Sequence, residues 1–285
     1  MGKANLRWSW DHRGVGSAAL RALYDAAGFD FAAPVGNGDV AGMFGPGVFG
    51  LFAFSDDALI GSARAFSDDL ATTWLAEICV VPLWRERGVG RSLLGRIDGR
   101  FRRTALYCDA IPETVDFFKA GGLRPKMKLI ACRRPPSGRK AGRGDVPGIV
   151  IHDEASRHKA ADFDHVYDSV GFGMSDKGMP RDILYRKSFG EGIFGSFADS
   201  KDGRLVGLVR AFSDDLTKCY VAEICVHPAW QRQGIGRALV ERMVHRFSHT
   251  IIHAEAFPES VRLFESCGVA PIPGLVGCSR APHAD

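Results

Sequence analysis

Apolar residues in the second half of the chain follow two rhythms. Ile193 to Ala198, Leu205 to Phe212 and Cys219 to Val226 are short runs rich in β-branched and aromatic residues, and each predicts a strand; Ile251 to Ala254 predicts a shorter one. Ala161 to Val170, Gly236 to Phe247 and Pro258 to Ser266 carry their apolar residues at helical spacing. Pro180 to Lys187 reads as a helix that begins at its proline, whereas the matching Phe31 to Gly47 is laced with Gly and Pro and reads as loop. Helices interleaved with strands in this order predict an α/β fold, a mixed sheet flanked by helices.

The first half repeats the second. RAFSDDLATTWLAEICVVPLWRERGVGRSLL from Arg64 lies over RAFSDDLTKCYVAEICVHPAWQRQGIGRALV from Arg210 at an offset of 146, without a gap as far as Arg134 over Arg280, and 32 of those 71 positions are identical. Tyr24-Asp25 with Gly28-Phe29 recurs as Tyr167-Asp168 with Gly171-Phe172, so the duplication reaches back toward each start. Each copy is of domain size, about 135 residues, and too long for a solenoid unit. The Pro-, Gly- and Arg-rich stretch between them reads as a solvated linker, giving domains 1–134 and 149–285 with a linker at 135–148.

The whole chain, 285 residues with 46% hydrophobic and 25% charged residues and a formal charge of +4, excludes disorder and coiled coil and announces no nucleic-acid or membrane partner. Charge is uneven: residues 1–147 carry 21 basic and 15 acidic side chains, residues 148–285 carry 16 and 18. The seven cysteines show no CxxC spacing, which predicts reduced thiols and no metal site. The start MGKANLRWSW lacks the apolar core of a signal peptide, and the long uncharged stretch Ala41 to Ser55 is too short and too rich in glycine to span a bilayer. A cytoplasmic location is expected.

The most informative chemistry lies where a strand gives way to a helix. Tyr220 to Val226 is followed by His227-Pro228 and then by Gln231, Arg232, Gln233, Gly234, Ile235, Gly236 and Arg237; the first copy has Pro82, then Arg85, Glu86, Arg87, Gly88, Val89, Gly90 and Arg91. Proline cannot donate to a sheet ladder, and glycines let an anion approach the backbone. The following helix starts with amide N–H groups that have no intrahelical acceptor, at the positive end of its dipole. A pyrophosphate fits such a turn. Arg91 and Arg237 in the first helical turn oppose that dipole and call for an anionic neighbour. Neither a mononucleotide P-loop nor a dinucleotide GxGxxG is present.

Gln231 to Gly236 and Arg85 to Gly90 both match [RQ]xxGx[GA], and with them nearly the whole chain resembles two tandem domains of the GNAT superfamily of acyl-CoA-dependent N-acyltransferases. The SDD hairpins, Ser67-Asp68-Asp69 and Ser213-Asp214-Asp215, are most similar to its arylalkylamine N-acetyltransferase-like branch. The resemblance implies acetyl-CoA or another acyl-CoA as donor substrate, no metal, and a small-molecule amine as acceptor. It implies that the strand ends at Cys225 and Val226, and at Val80, pair with the pantetheine arm, and that the two glycine turns hold the CoA diphosphate.

Acyl transfer to an amine needs a group that takes a proton. Glu77 and Glu223 correspond to the carboxylate that the family often places on this strand. By period-two alternation, Glu223 shares a face with Val221 and Cys225, and Glu77 with Leu75 and Cys79, so apolar neighbours are expected to raise the carboxyl pKa. The family's usual acid, a tyrosine on the last helix, is replaced by Phe118 and Phe264. Cys79 and Cys225 are expected as core residues rather than nucleophiles, and His227 is a base candidate found in the second copy alone, Val81 standing in the first. Trp84 and Trp230 are expected to pack against the helix. Arg outnumbers Lys 27 to 10, which points to a GC-rich genome and an antibiotic biosynthetic or resistance role. Two other readings stay open: a carrier-protein or aminoacyl-tRNA donor, and a CoA-binding scaffold or sensor without catalysis.

Overall fold

The computed structural model describes residues 5–29, 40–137, 145–173 and 178–283. In chain order the first repeat forms β1 (Leu6–Ser9), α1 (Ser17–Ala27), β2 (Val48–Ser55), β3 (Ala58–Ser67), β4 (Thr72–Val80), α2 (Val89–Arg100), β5 (Ala105–Ala110), α3 (Val115–Ala120), β6 (Arg124–Pro125) and β7 (Ile130–Arg134). The second forms β8 (Ile149–His152), α4 (Ala160–Ser169), α5 (Arg181–Ser188), β9 (Ile193–Ser200), β10 (Leu205–Ser213), β11 (Lys218–Val226), α6 (Ile235–Arg246), β12 (Ile251–Ala256), α7 (Val261–Ser266), β13 (Ala270–Pro271) and β14 (Val276–Arg280). Every strand and helix expected from the second-copy pattern is present, the proline-started helix included. Part of the expected loop between Phe31 and Gly47 lies outside the described residues; Val40–Met43 within it is a one-turn 3-10 helix.

The strands form two mixed seven-stranded sheets, ordered β1-β2-β3-β4-β5-β14-β6 and β8-β9-β10-β11-β12-β7-β13. The expected division at 134 and 149 is thereby corrected. The compact units are Met1–Lys126 with Gly274–Asp285, and Met127–Pro273, because the two repeats exchange their last strands. β14 runs antiparallel to β5 from Val276↔Ala110 to Arg280↔Leu106, and β7 runs antiparallel to β12 from Ile130↔Ala256 to Arg134↔Ile252. The duplication explains why either strand fits either sheet. Cys132 and Cys278 occupy matching repeat positions and are equally buried in the core of the sheet that receives them. Of the expected linker, 138–144 lies outside the described residues.

Each sheet carries helices on both faces. In the first unit α2 covers one face through Val89, Leu93 and Ile97, packed on Leu51, Ala63, Ala65 and Leu75. In the second, α6 does the same through Ile235, Leu239 and Met243 on Val209, Ala211 and Val221, while α4 and α5 cover the other face through Phe163, Val166, Tyr167 and Tyr185 on Phe197, Leu208 and Cys225. Among the described residues no helix is long and apolar enough to cross a membrane.

One irregularity positions the site. Along β10 and β11, Arg210 pairs with Glu223 but Ala211 pairs with Val221, so Ala222 is an extra residue, a β-bulge; Ala76 plays the same part between Arg64↔Glu77 and Ala65↔Leu75. An extra residue inverts the alternation beyond it. The expectation that Val221, Glu223 and Cys225 share a face is therefore corrected: Val221 faces α6 and Cys225 faces α4. At the same point the parallel neighbours part, since β4–β5 pairing ends at Leu75↔Cys108 and β11–β12 pairing ends at Val221↔Ala254. Beyond it β4 runs on to Val80, and β11 to Val226, outside that ladder. Each sheet thus opens a wedge at its centre.

Candidate functional site: a wedge, a glycine turn and a braced glutamate

The wall of each wedge leads into the glycine turn. α2 and α6 begin at Gly88 and Gly234, whose φ angles of 82° and 88° lie in the left-handed region, and no side chain caps either helix. The N-terminal amides therefore face outward without a side-chain acceptor, which suits an anion. Within the turns Glu86 and Arg232 also take positive φ, 60° and 61°. The first residue of each signature braces the turn: Gln231 Nε2 donates to Val226 O at 2.9 Å, and Arg85 Nε donates to Val80 O at 3.2 Å. That contact joins the turn to the end of the open strand. Arg85 Nη2 also donates to Ala27 O, at 3.2 Å.

Gly90 and Gly236 sit where a Cβ would lie 3.5 Å from Phe117 and 3.5 Å from Leu263, so α3 and α7 close on the turn from the far side. In the second unit Asp145, Val146, Pro147, Gln233, Gly234, Arg237, Ala238 and Glu241 line a cavity of about 310 Å³ at the start of α6. The anionic neighbour expected for Arg237 is on the chain itself, because its Nε bonds Glu241 Oε1 at 2.8 Å. Arg87 lies over the Trp84 ring at 5.4 Å, and Trp84 and Trp230 pack against the α2 and α6 cores as expected.

The bulge sets Glu77 and Glu223 directly across from an arginine. Arg64 Nε lies 2.6 Å from Glu77 Oε1 and its Nη2 lies 3.2 Å from Oε2; in the second unit Arg210 makes the same fork at 2.6 and 2.8 Å. A tyrosine from the helix above completes each set, Tyr24 Oη donating to Glu77 Oε1 at 2.9 Å and Tyr167 Oη to Glu223 Oε1 at 2.6 Å. The expected apolar surroundings are corrected: each carboxylate is matched by a guanidinium and a phenol rather than by apolar side chains. Burial, reinforced by the neighbouring carboxylate, pushes both phenols well above the usual tyrosine range, so neither is an acid near neutral pH.

The copies differ in access. The Glu77 side chain is 1% exposed, that of Glu223 13%. Tyr167 and Arg210, like Tyr24 and Arg64, were missed by reading motifs, although both kinds of residue lie inside repeated segments.

Other candidates are placed plainly. Cys225 is buried and burial pushes its thiol up, away from thiolate. His227 follows the end of β11, four residues or about 13 Å along a strand from Glu223, with Nδ1 accepting from Ala229 N–H at 3.2 Å and its ring stacked on His165. Phe118 and Phe264 are core residues. The SDD hairpins are turn devices: Asp68 Oδ1 accepts the N–H groups of Leu70, Ala71 and Thr72, and Asp214 Oδ1 those of Leu216, Thr217 and Lys218.

Comparison with known proteins agrees with this geometry. Residues 164–269, from within α4 to the residue before β13, match the acetyltransferase (GNAT) family. Over its whole length the chain is similar to a tandem GNAT protein from the clavulanic acid biosynthesis pathway, with a TM-score of 0.56 and 14% identity over 99% of this chain and 100% of that one. It is also similar to a GCN5-related N-acetyltransferase from Sphaerobacter thermophilus, with a TM-score of 0.59 and 12% identity over 98% and 96%. No curated protein sequence matches. The second repeat thus carries a match to the acetyltransferase (GNAT) family, the first repeats it by internal duplication, and the chain as a whole has the fold of these GNAT proteins.

Proposed function

We propose that the protein transfers an acyl group, acetyl in the first instance, from CoA to the amine of a small molecule, and that the second domain does the chemistry. The observation that carries this is the continuous path from the uncapped α6 N-terminus through the Gln231–Val226 contact to the open strand and the partly exposed Glu223. The Gly234 turn would take the diphosphate, and the edge at Cys225 and Val226 the pantetheine arm. Val80 and the Arg85–Arg91 turn would form the equivalent donor site in the first domain.

Arg210 and Tyr167 position the Glu223 carboxylate to take a proton from the substrate ammonium before attack. The free amine nitrogen then bonds to the thioester carbonyl carbon, the carbon–sulfur bond breaks and the thiolate leaves; the second proton of the nitrogen passes to water, and the thiolate takes a proton from water. No tyrosine at position 118 or 264 supplies that proton. A thiolate with an ordinary thiol pKa near 8.5 leaves without one.

Glu77, sealed in the first domain, holds Arg64 and the bulge and is assigned a structural part. This asymmetry favours a supporting, CoA-binding first domain over two working sites. A role in antibiotic biosynthesis or resistance, and a cytoplasmic setting, belong to the same reading; the similar tandem GNAT protein comes from the clavulanic acid pathway. The test is a thiol-release screen of amines with acetyl-CoA. Turnover with a small amine supports the reading. Turnover only with a carrier-protein or aminoacyl-tRNA donor, or CoA binding without turnover, points to the alternatives.

A further inference from the structure

A second cluster of titratable groups lies in the second unit, outside the wedge. His152 ends β8, His158 stands two residues before α4, and Asp199 lies on β9; one nitrogen or oxygen from each falls within 4.8 Å of the others. His152 Nε2 is 3.0 Å from Asp199 Oδ2, and His158 Nε2 is 3.3 Å from Asp199 Oδ1. The Glu154 N–H donates to His152 Nδ1 at 3.2 Å. With Nδ1 accepting that N–H, the His152 tautomer that fits carries its hydrogen on Nε2, toward Asp199 Oδ2.

His158 is different. Its side chain is 2% exposed, and its Nε2 and Asp199 Oδ1 face each other without a well-formed hydrogen bond. The two imidazoles stack at 5.3 Å, walled by Phe163 and Phe197 at 5.8 and 5.6 Å from the His158 ring.

The first unit shows that the fold does not require this cluster. By position in the elements, Ser9 ends β1 as His152 ends β8, Val15 follows its 3-10 turn as His158 does, and Phe54 pairs with Arg7 as Asp199 pairs with Val150. Three adjoining positions thus change together, from Ser, Val and Phe to His, His and Asp. A divalent cation on these atoms needs a hydrogen on His152 Nδ1, where the Glu154 N–H already points, so the geometry favours protons over a metal.

We propose that His152, His158 and Asp199 form an acid-sensitive latch that seats the start of α4 and opens when a further proton enters the cluster. The charged and titratable groups around His158 are His152 from β8, Asp199 from β9, Asp162 from α4 and Arg157 from its own turn. Burial holds the His158 imidazole below the ordinary histidine range; His152 and Arg157 act in the same direction, while Asp199 and Asp162 oppose it. With a lowered folded pKa, the unfolded segment takes the proton first. The stabilisation is complete above about pH 6.5 and is lost as pH falls toward the folded pKa. α4 carries Tyr167, so, on the proposed catalytic role of the second domain, opening the latch removes the brace on Glu223 and slows acyl transfer.

Hydrogen exchange followed by mass spectrometry on the full chain at pH 7.5, 6.5 and 5.5 reads the latch without turnover. For segment 158–166, corrected for intrinsic exchange, the opening equilibrium of the wild type is expected to rise by up to tenfold per pH unit below 6.5. In His158→Val, the residue of the first unit, it stays flat. Equal pH dependence in both proteins overturns the latch. Should the variant fail to fold, the proton NMR titration of the His158 ring in wild type decides: a midpoint below 6.5 supports the proposal and one at or above it refutes it. Stoichiometric Zn²⁺ binding by the chelator-stripped protein, lost in His158→Val, makes the cluster a metal site instead. Acid-dependent exchange in a protein with no acyltransfer would leave the latch standing and sink the catalytic reading alone.

Discussion

Replacing Glu223 by glutamine, with Glu77→Gln as its twin, separates chemistry from architecture. In either variant a guanidinium buried beside the bulge loses its counter-charge; breaking such a pair costs about 3–5 kcal/mol, and the retained amide oxygen places glutamine toward the low end. Stability should therefore fall in both, and no less for Glu77, whose pair is the more completely buried. Turnover should not fall in both. Loss of a positioned base lowers kcat by about 10²–10⁴-fold, and that loss is expected for Glu223→Gln alone. Urea denaturation gives the stability difference, thiol release at saturating acetyl-CoA and amine gives kcat, and calorimetry with CoA checks that the donor site survives. A wild-type kcat in Glu223→Gln with CoA affinity intact, or an equal drop in Glu77→Gln, would refute the assignment.

Other outcomes follow from the same geometry. Gly234→Ala places a Cβ at a φ of 88°, which costs roughly 1–2 kcal/mol of local strain, and calorimetry should show weaker CoA binding with little change in the urea midpoint of the first domain. Tyr167→Phe removes the phenol that positions Glu223, so kcat should fall while the KM for acetyl-CoA holds; Tyr24→Phe should leave kcat in place. Cys225, buried with its thiol pushed up, should react with iodoacetamide only after urea unfolding, as read by peptide mass. Cutting the chain between Ser137 and Asp145 should leave two fragments that co-elute in gel filtration, because each contributes a strand to the sheet formed mainly by the other.

What was legible in the sequence was local. The strands, the helix that starts at Pro180 and the turns at Gly88 and Gly234 could be read because proline, glycine and apolar spacing act within a few residues. The bulge could not, because alternation assumes an unbroken ladder and a single alanine, Ala222, inverts every face beyond it. The strand exchange was hidden for the opposite reason: β7 and β14 are so alike that the repeat does not say which sheet takes which. The brace on Glu223 comes from residues 13 and 56 positions away on two other elements, a relation that only packing reveals. The His–Asp–His cluster likewise joins β8, a turn and β9.

The central claim is that main-chain amides at the head of α6 hold a diphosphate. Titration calorimetry with CoA and with pantetheine, which has the same arm but no diphosphate, tests it most directly. Two charge-assisted hydrogen bonds at about 1.5–3 kcal/mol each predict that pantetheine binds at least about 100-fold more weakly than CoA. Equal affinity for the two, or no binding of CoA at all, would contradict the account.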